Sequence, residues 1–272
     1  MIYYNIMMKK GGMDLKIGIF DSGIGGLSTL PAVKRALPTA DILYYADEKN
    51  VPYGEKAPEK ILSFSMDAVG FLISKGADAV IVACNTATSV AINSLREKYE
   101  SGDCPIPIIG MEPAVKPAVS IGGGRVLVAA TPVTVRGGKL KALIERFDPK
   151  RITDTLPLPM LVRLAESERF GTDEADEYIR KELSRFDLTK YSALVLGCTH
   201  FNYFKDSFKR ILPEGARIVD GVDGTARRLV SRLEGKDTDG EGKIEFFISG
   251  ERAEDENRFY RLLARLEKME KI

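Results

Sequence analysis

The sequence predicts an α/β fold with two similar domains, each a mostly parallel sheet flanked by helices. Two observations support this prediction. Short apolar strand patterns alternate with longer amphipathic helix patterns, which is the order of elements that builds parallel sheets. The alternation also restarts near residue 125, and both series end on an apolar run closed by a cysteine. At 272 residues the chain has room for two such units.

The first series runs from residue 15 to residue 111. Gly76 is expected to end its long amphipathic helix as a C-cap glycine, because glycine reaches the left-handed conformation without a steric penalty. The predicted strands cover residues 15–20, 41–46, 79–83 and 108–111, and the predicted helices about 28–37, 58–75 and 88–99.

The second series and the tail follow the same plan. Thr172 is expected to cap the helix that it precedes. The predicted strands cover residues 125–130, 151–156, 193–197, 217–219 and 244–248. The predicted helices cover about 131–147, 173–186, 205–211, 224–233 and 251–270, with a polar linker at 235–243. We expect the tail to return to the first half, which predicts domains of 13–111 plus 221–272 and of 112–220.

The bulk composition is that of a soluble globular protein, with 44% hydrophobic and 29% charged residues. A net charge of +1 offers no electrostatic attraction for nucleic acid or an anionic membrane. Apolar runs are only strand-length, so no transmembrane helix is predicted. Residues 1–12 lack the basic start and cleavage site of a signal peptide. With three cysteines in no spacing pattern, we expect a cytoplasmic protein without disulfides.

Two cysteines occupy equivalent positions in the two halves. The first apolar run closes with Cys84-Asn85-Thr86 and the second with Cys198-Thr199-His200. Ligands of open α/β sheets bind outside the carboxyl ends of the strands. A cleft shared by the two halves would therefore bring the two thiols face to face. Cys104, in a loop with Gly and Pro, lacks this setting and is predicted to be a bystander.

The turn Gly23-Ile24-Gly25-Gly26 after the first strand has two interpretations. A glycine turn before a helix is one way to bind phosphate. The dinucleotide pattern needs a further glycine where Ser28 stands, however, and Asp21 would repel a phosphate. We therefore favour a tight turn that exposes Asp21 and Ser22 to the crevice.

His200, the only histidine, follows Cys198 by two residues and is suited to donate a proton or to stabilise a thiolate. A zinc site from Cys84, Cys198, His200 and Asp21 is the alternative. It is disfavoured because no closely spaced pair of ligands anchors it, so we expect no metal.

Two thiols facing one pocket suit the inversion of an acidic carbon, which needs a base on one face and an acid on the other. A thiol with an ordinary pKa of about 8.5 loses its proton readily when it is polarised. Asp21 is suited to hold an ammonium group. Hydroxyl and amide groups are available for a carboxylate at Ser22, Asn85, Thr86, Thr131, Thr134 and Thr199. Together these groups describe an amino-acid site.

Five stretches, in order, make the chain resemble the glutamate racemase family of the aspartate/glutamate racemase superfamily. They are residues 19–28 (IFDSGIGGLS), 51–54 (VPYG), 83–88 (ACNTAT), 130–135 (ATPVTV) and 194–200 (LVLGCTH). The resemblance spans the chain from Lys16 to about Leu233. It implies a cofactor-independent enzyme that makes D-glutamate for peptidoglycan, with two α/β domains around the active-site cleft and usually a homodimer.

The resemblance also implies roles for single residues. Cys84 and Cys198 are the acid/base thiols, which Asp21 and His200 assist, and Glu166 is the candidate to orient His200. The substrate contacts that it implies include Asp21-Ser22, Pro52-Tyr53-Gly54, Asn85-Thr86 and Thr199-His200. The chain departs from the family pattern at Arg163, where proline is common, at Leu156-Pro157, which lacks a frequent cysteine, and at Asp47 to Asn50.

Two alternatives stay open at this point. One is an aspartate or hydantoin racemase of the same superfamily, although the loop from Val51 to Gly54 is typical of the glutamate branch. The other is a non-catalytic sensor that closes two domains around an amino acid.

Overall fold

The structure, a computed structural model, describes residues 15–233 and 240–272. Residues 1–12, and residues 235–239 of the predicted linker, lie outside the described part. The strands are β1 (Lys16–Asp21), β2 (Asp41–Ala46), β3 (Ala79–Val82), β4 (Ile108–Gly110), β5 (Arg125–Ala130), β6 (Thr153–Pro157), β7 (Tyr191–Gly197), β8 (Arg217–Asp220), β9 (Ile244–Ile248) and β10 (Glu251–Arg252).

The helices connect and cover these strands. They are α1 (Leu30–Ala36), α2 (Pro58–Ser74), α3 (Asn85–Tyr99), α4 (Val115–Ile121), α5 (Pro132–Arg136), α6 (Gly138–Phe147), α7 (Pro159–Glu166), α8 (Asp173–Leu183), α9 (Lys205–Ile211), α10 (Val222–Arg232) and α11 (Glu256–Glu270). Short 3-10 segments cover Gly25–Thr29, Tyr53–Glu55, Leu188–Lys190 and Thr199–Phe204. None of the helices in the described ranges has the length and apolar character to span a bilayer.

The strands form two separate sheets. The first has the order β10-β9-β2-β1-β3-β4, and the second has the order β6-β5-β7-β8. All neighbours pair in parallel except β9 and β10, which are antiparallel. The predicted α/β class with mostly parallel sheets is therefore confirmed. The strand β9 pairs with β2, so the tail contributes to the first sheet. This grouping supports the proposed domain division, whose boundaries stay a prediction.

The burial of β1 on both faces explains why its sequence is a nearly unbroken apolar run. Successive side chains of a strand point to opposite faces. Ile17 and Ile19 pack in one core cluster, and Phe20 packs in another on the other face of the sheet. All three side chains are fully buried. A central parallel strand that is covered on both sides has no solvent-facing position for a polar residue.

Several element boundaries differ from the prediction for local reasons. The helix α3 begins at Asn85 rather than 88, because the Cys84 sulfur accepts the Ala87 N–H and caps the helix (3.4 Å). The single helix predicted for 131–147 is two helices, since Gly137 adopts an extended conformation between them. The last helix begins at Glu256, because residues 251–252 pair with β9. The short helices α4 and α7 were not predicted.

Candidate active site

The two sequence-predicted cysteines lie at the carboxyl ends of their strands, as the strand pattern indicates. Cys84 follows β3 in the first sheet, and Cys198 follows β7 in the second. Each is closely covered, with 5% of Cys84 and 6% of Cys198 exposed. The Cys84 sulfur contacts the Ser22 hydroxyl, and Thr199, the residue after Cys198, donates to Asp21, the residue before Ser22. The structure therefore brings both thiols into one closed cleft between the sheets.

Loops from the two sheets meet directly around the cleft. The Thr199 hydroxyl donates to Asp21 Oδ2 at 3.0 Å, and the Ile24 N–H donates to Glu166 Oε1 at 3.0 Å. The hydroxyls of Thr86 and Thr131 lie 2.8 Å apart. In each contact one residue lies at or just beyond the carboxyl end of a strand of the first sheet, and the other belongs to the second half of the fold. The carboxyl ends of the two sheets thus face each other.

The glycine turn packs tightly against the second half. A Cβ atom on Gly23 would collide with the Glu166 carboxylate, and one on Gly25 would lie 2.5 Å from His200 Nδ1. The backbone N–H of Gly23 donates to Asp21 Oδ1 at 3.0 Å. The N–H groups of residues 23 and 24 therefore bind carboxylates. The predicted tight turn is present, and these two N–H groups do not form a phosphate cradle.

Cys84 lies in a setting that favours the neutral thiol. Its sulfur is 3.4 Å from the Ser22 hydroxyl and accepts the Ala87 N–H. Burial and then the neighbouring Asp21 raise the pKa of Cys84 to about 12, against the contacts with Ser22 and Ala87, which lower it. At neutral pH this thiol holds its proton, so it is suited to act as an acid.

Cys198 lies in the opposite electrostatic setting. Its sulfur is 3.8 Å from His200 Nδ1, and His200 Nε2 is 2.5 Å from Glu166 Oε1. Burial lowers the pKa of His200, but the hydrogen bonds and the electrostatic attraction of Cys198 and Glu166 together outweigh burial and hold that pKa well above its ordinary value. The protonated ring donates from both nitrogens, so it presents a positive charge to Cys198.

Asp21 is fully buried between these groups. Burial raises the pKa of Asp21 to about 6, although His200, Thr199 and the Gly23 N–H lower it. A carboxylate with a pKa near neutrality changes its charge in the range where enzymes work. Asp21 is therefore suited both to bind an ammonium group and to respond to the protonation of its surroundings.

Three threonine hydroxyls form a cluster on the other side of the cleft. Thr86 Oγ1 lies 2.8 Å from Thr131 Oγ1 and 3.4 Å from Thr134 Oγ1, and the last two are 3.0 Å apart. Thr131 also caps α5 by accepting the Thr134 N–H. Beside them, Asn85 donates to the Met111 carbonyl, while its buried Oδ1 has no hydrogen-bond partner among the described residues. These groups are suited to hold a carboxylate and an ammonium.

The loop with Pro52, Tyr53 and Gly54 borders the threonine cluster. A Cβ atom on Gly54 would lie 2.5 Å from Thr131 Cβ, so this loop also packs on the second half. The Tyr53 hydroxyl donates to Asp47 Oδ2 at 2.6 Å. Pro52 follows a cis peptide bond. The Tyr53 hydroxyl thus already has a protein partner in the closed cleft.

Asp47 is a residue whose role the sequence reasoning missed. It is buried, and besides Tyr53 it accepts hydrogen bonds from Asn50 (3.0 Å) and Ser249 (3.1 Å). It therefore holds the loop before Gly54 in place. Its position directly after β2, in register with Ser22 directly after β1, was the available signal.

Arg163, the departure noted in the sequence, lies on the surface of α7. Its guanidinium contacts the Glu55 carboxylate at 2.6 Å, which joins α7 to the loop after Gly54. Within residues 15–233 and 240–272, no three His, Cys, Asp or Glu side chains are arranged as a metal-binding group.

Residues 26–229 match the family model described as Asp/Glu/Hydantoin racemase. The chain belongs to this family. It is 52% identical over 270 residues to the glutamate racemase of Campylobacter curvus, in an alignment that covers 95% of this chain and 100% of that relative. The resemblance inferred from the five sequence stretches is therefore confirmed.

Solved structures of this family share the fold. Escherichia coli glutamate racemase, in complex with L-glutamate and the activator UDP-MurNAc-Ala, superposes with a TM-score of 0.79 at 30% identity over 93% of this chain and 96% of that one. Francisella tularensis glutamate racemase in complex with D-glutamate gives a TM-score of 0.77 at 27% identity over 94% of each chain. The predicted fold class is thus shared with racemases of known structure.

Proposed function

We propose that this chain interconverts L-glutamate and D-glutamate, with Cys84 and Cys198 as acid and base on opposite faces of the α-carbon. One observation carries the proposal: two buried thiols, from equivalent strands of two sheets, meet in one cleft with opposite electrostatic partners. Cys84 lies near the carboxylate of Asp21, and Cys198 contacts the protonated His200. This asymmetry supplies one acid and one base at the same pH.

The protons balance over one turnover. The Cys198 thiolate removes the α-hydrogen of L-glutamate and becomes a thiol, and the Cys84 thiol then delivers its proton to the opposite face. The product is D-glutamate, and the charge now rests on Cys84. Racemisation of D-glutamate runs the same steps in reverse, with Cys84 as the base. Asp21 and His200 are positioned to help return the thiols to their starting protonation states.

The closed cleft assists this chemistry in two ways. Excluding water strengthens the electrostatic interactions among the buried groups and prevents protonation of the carbanion by solvent. Fixed donors next to the carboxylate stabilise the negative charge that develops at the α-carbon. We assign this role to the hydroxyls of Thr86, Thr131 and Thr134, with Asn85 Oδ1 and Asp21 holding the ammonium.

Glutamate is favoured over aspartate and hydantoins because the relatives described above are glutamate racemases with nearly full coverage of both chains. We further propose that the enzyme works in the cytoplasm as a homodimer and supplies D-glutamate for peptidoglycan. The loop from Pro52 to Gly54 and the hydroxyl of Ser22 complete the set of substrate contacts.

Circular dichroism tests the proposed function directly. L-glutamate incubated with the purified protein should lose its optical activity, and D-glutamate should do so with the same kcat/KM, because the equilibrium constant between enantiomers is one. Matched incubations with aspartate and with a hydantoin identify the substrate branch. Glutamate binding with no change in optical activity would show that the protein is a sensor.

A further inference from the structure

A buried tyrosine outside the cleft is connected to Cys198 by an unbroken series of contacts. Tyr44, on β2, is fully buried, and its hydroxyl donates to the Gly23 carbonyl at 2.8 Å. The N–H of Ile24, from the same peptide unit, donates to Glu166 Oε1. That carboxylate oxygen also contacts His200 Nε2, and the other ring nitrogen contacts Cys198.

Peptide geometry makes this series directional. A peptide bond is planar, and in the trans form its C=O and N–H point in opposite directions. The Gly23–Ile24 bond is trans. A donor that holds the Gly23 carbonyl on one side therefore aims the Ile24 N–H at Glu166 on the other. Without the Tyr44 hydroxyl, this peptide unit loses the contact that sets its rotation.

The geometry points to Tyr44 as a positioning residue of the racemase, which acts through the Gly23–Ile24 peptide to hold Glu166 against His200. The inference rests on the proposed function, because it assigns catalytic value to the contact between His200 and Cys198. Tyr44 touches neither thiol and lies behind the glycine turn, so its contribution is to the base and not to substrate binding.

The charges around Tyr44 are consistent with this assignment. The pKa of Tyr44 is held well above its ordinary value, first by burial and then by the nearby Asp21, Tyr203, Glu166 and Glu48. The hydroxyl consequently keeps its proton and donates throughout the working pH range. The groups that face His200 are Cys198, Glu166 and Asp21.

Tyr203 provides a matched control. It is also fully buried, and its hydroxyl donates to the carbonyl of Ile24, the next one in the turn, at 3.1 Å. That carbonyl belongs to the peptide between residues 24 and 25, which does not contain the N–H that binds Glu166. Tyr203→Phe therefore removes a comparable buried hydrogen bond from the same turn without releasing the peptide that holds Glu166.

The experiment uses the fact that the chain contains a single histidine. In protein labelled with ¹⁵N-histidine, the ring signals all come from His200 and report the protonation and hydrogen bonding of both nitrogens. Tyr44→Phe should move the Nε2 signals toward those of Glu166→Gln, in which the carboxylate is lost. We expect kcat to fall about tenfold, the size of one lost hydrogen bond, with KM within about twofold of the wild type. Tyr203→Phe should lower Tm similarly but leave the His200 signals in place.

Two results would overturn the inference. One is a folded Tyr44→Phe protein with wild-type His200 signals, and the other is an equal change of those signals in Tyr203→Phe, which would indicate general loosening of the turn. Glu166→Gln separates this inference from the proposed function. Unchanged racemisation in Glu166→Gln would refute the role of Glu166 itself, whereas slow racemisation there and full activity in Tyr44→Phe would refute only the role of Tyr44.

Discussion

The glycine turn offers a sharp test of how closely the two halves must approach. In Gly25→Ala the new Cβ would lie 2.7 Å from the backbone nitrogen of His200 and would collide with the Thr199 hydroxyl. Ordinary contact begins near 3.4 Å, so the His200 backbone must move by about 0.7 Å. The new Cβ atom is fixed to the backbone at residue 25 and the contacted nitrogen belongs to the backbone of His200, so neither can rotate away as a flexible side chain does. The variant therefore displaces the residue that contacts Cys198.

The expected loss follows from that displacement. Misplacing a catalytic group by about 1 Å costs on the order of 100-fold in rate, so we expect kcat/KM of Gly25→Ala to fall between 10-fold and 100-fold. Overpacking costs about 1–3 kcal/mol, which corresponds to a fall in Tm of roughly 2–10 °C for a chain of this size. Circular dichroism measures both quantities, at the substrate wavelength and in a thermal melt.

Gly224→Ala is the matched control. Gly224 lies in α10, and a Cβ atom there meets nothing within 4 Å. Alanine is favoured over glycine inside a helix by about 1 kcal/mol, so this variant should keep full activity and gain stability. Wild-type kcat/KM in Gly25→Ala would refute the argument that the close approach of the turn positions His200.

Three further predictions concern the thiols, the buried carboxylate and the surface ion pair. In deuterated water, Cys84→Ser and Cys198→Ser should each abolish racemisation, while residual exchange stays specific for one enantiomer: L-glutamate in Cys84→Ser and D-glutamate in Cys198→Ser, measured by NMR. Racemisation at the wild-type rate in either variant would exclude the two-thiol mechanism. The pKa of Asp21 is raised by burial from 3.8 to about 6; the folded state therefore binds this proton more tightly than the unfolded state, and the stabilisation present below pH 4 is lost as the pH rises through 6. Asp21→Asn should accordingly be more stable than the wild type at pH 7, by up to about 3 kcal/mol, yet racemise slowly. Equal free energies of unfolding of the two proteins in chemical denaturation at pH 7 would contradict the expected cost of burying the Asp21 charge. The side chains of Arg163 and Glu55 are 57% and 36% exposed, so Arg163→Ala should change the free energy of unfolding by less than about 1 kcal/mol. A larger loss in denaturant titrations would contradict the expectation that an exposed ion pair contributes little to stability.

The local pattern of the sequence was sufficient to predict the elements that carry the site. A buried parallel strand needs apolar side chains on both faces, so β3 and β7 are recognisable as apolar runs, and the residues that follow them face the cleft. The helix α9 (Lys205–Ile211) and the Thr172 cap were predicted as the structure has them. The short helix α7 was missed, although Pro159 at its first position was an available signal.

The partners within the site depended on the tertiary structure. Glu166 was predicted from family resemblance, but its hydrogen bond with His200 joins residues 34 positions apart and needs α7 to pack against the 3-10 segment Thr199–Phe204. The Tyr53 hydroxyl is bound by Asp47, a contact that the loop sequence does not indicate. Tyr44 carries no signal in the sequence, where it is one aromatic residue of an ordinary strand.

The physical reason is the difference between local and long-range interactions. Backbone preferences and side-chain periodicity act over a few residues, so the sequence by itself determined the strands, most helices and the two strand-end thiols. Hydrogen-bond partners, burial and the resulting pKa values are set by groups that only folding brings together. Cys84 and Cys198 have equivalent positions in the sequence pattern. The sequence itself places His200 two residues after Cys198, but only the tertiary structure placed Asp21 near Cys84 and Glu166 against His200.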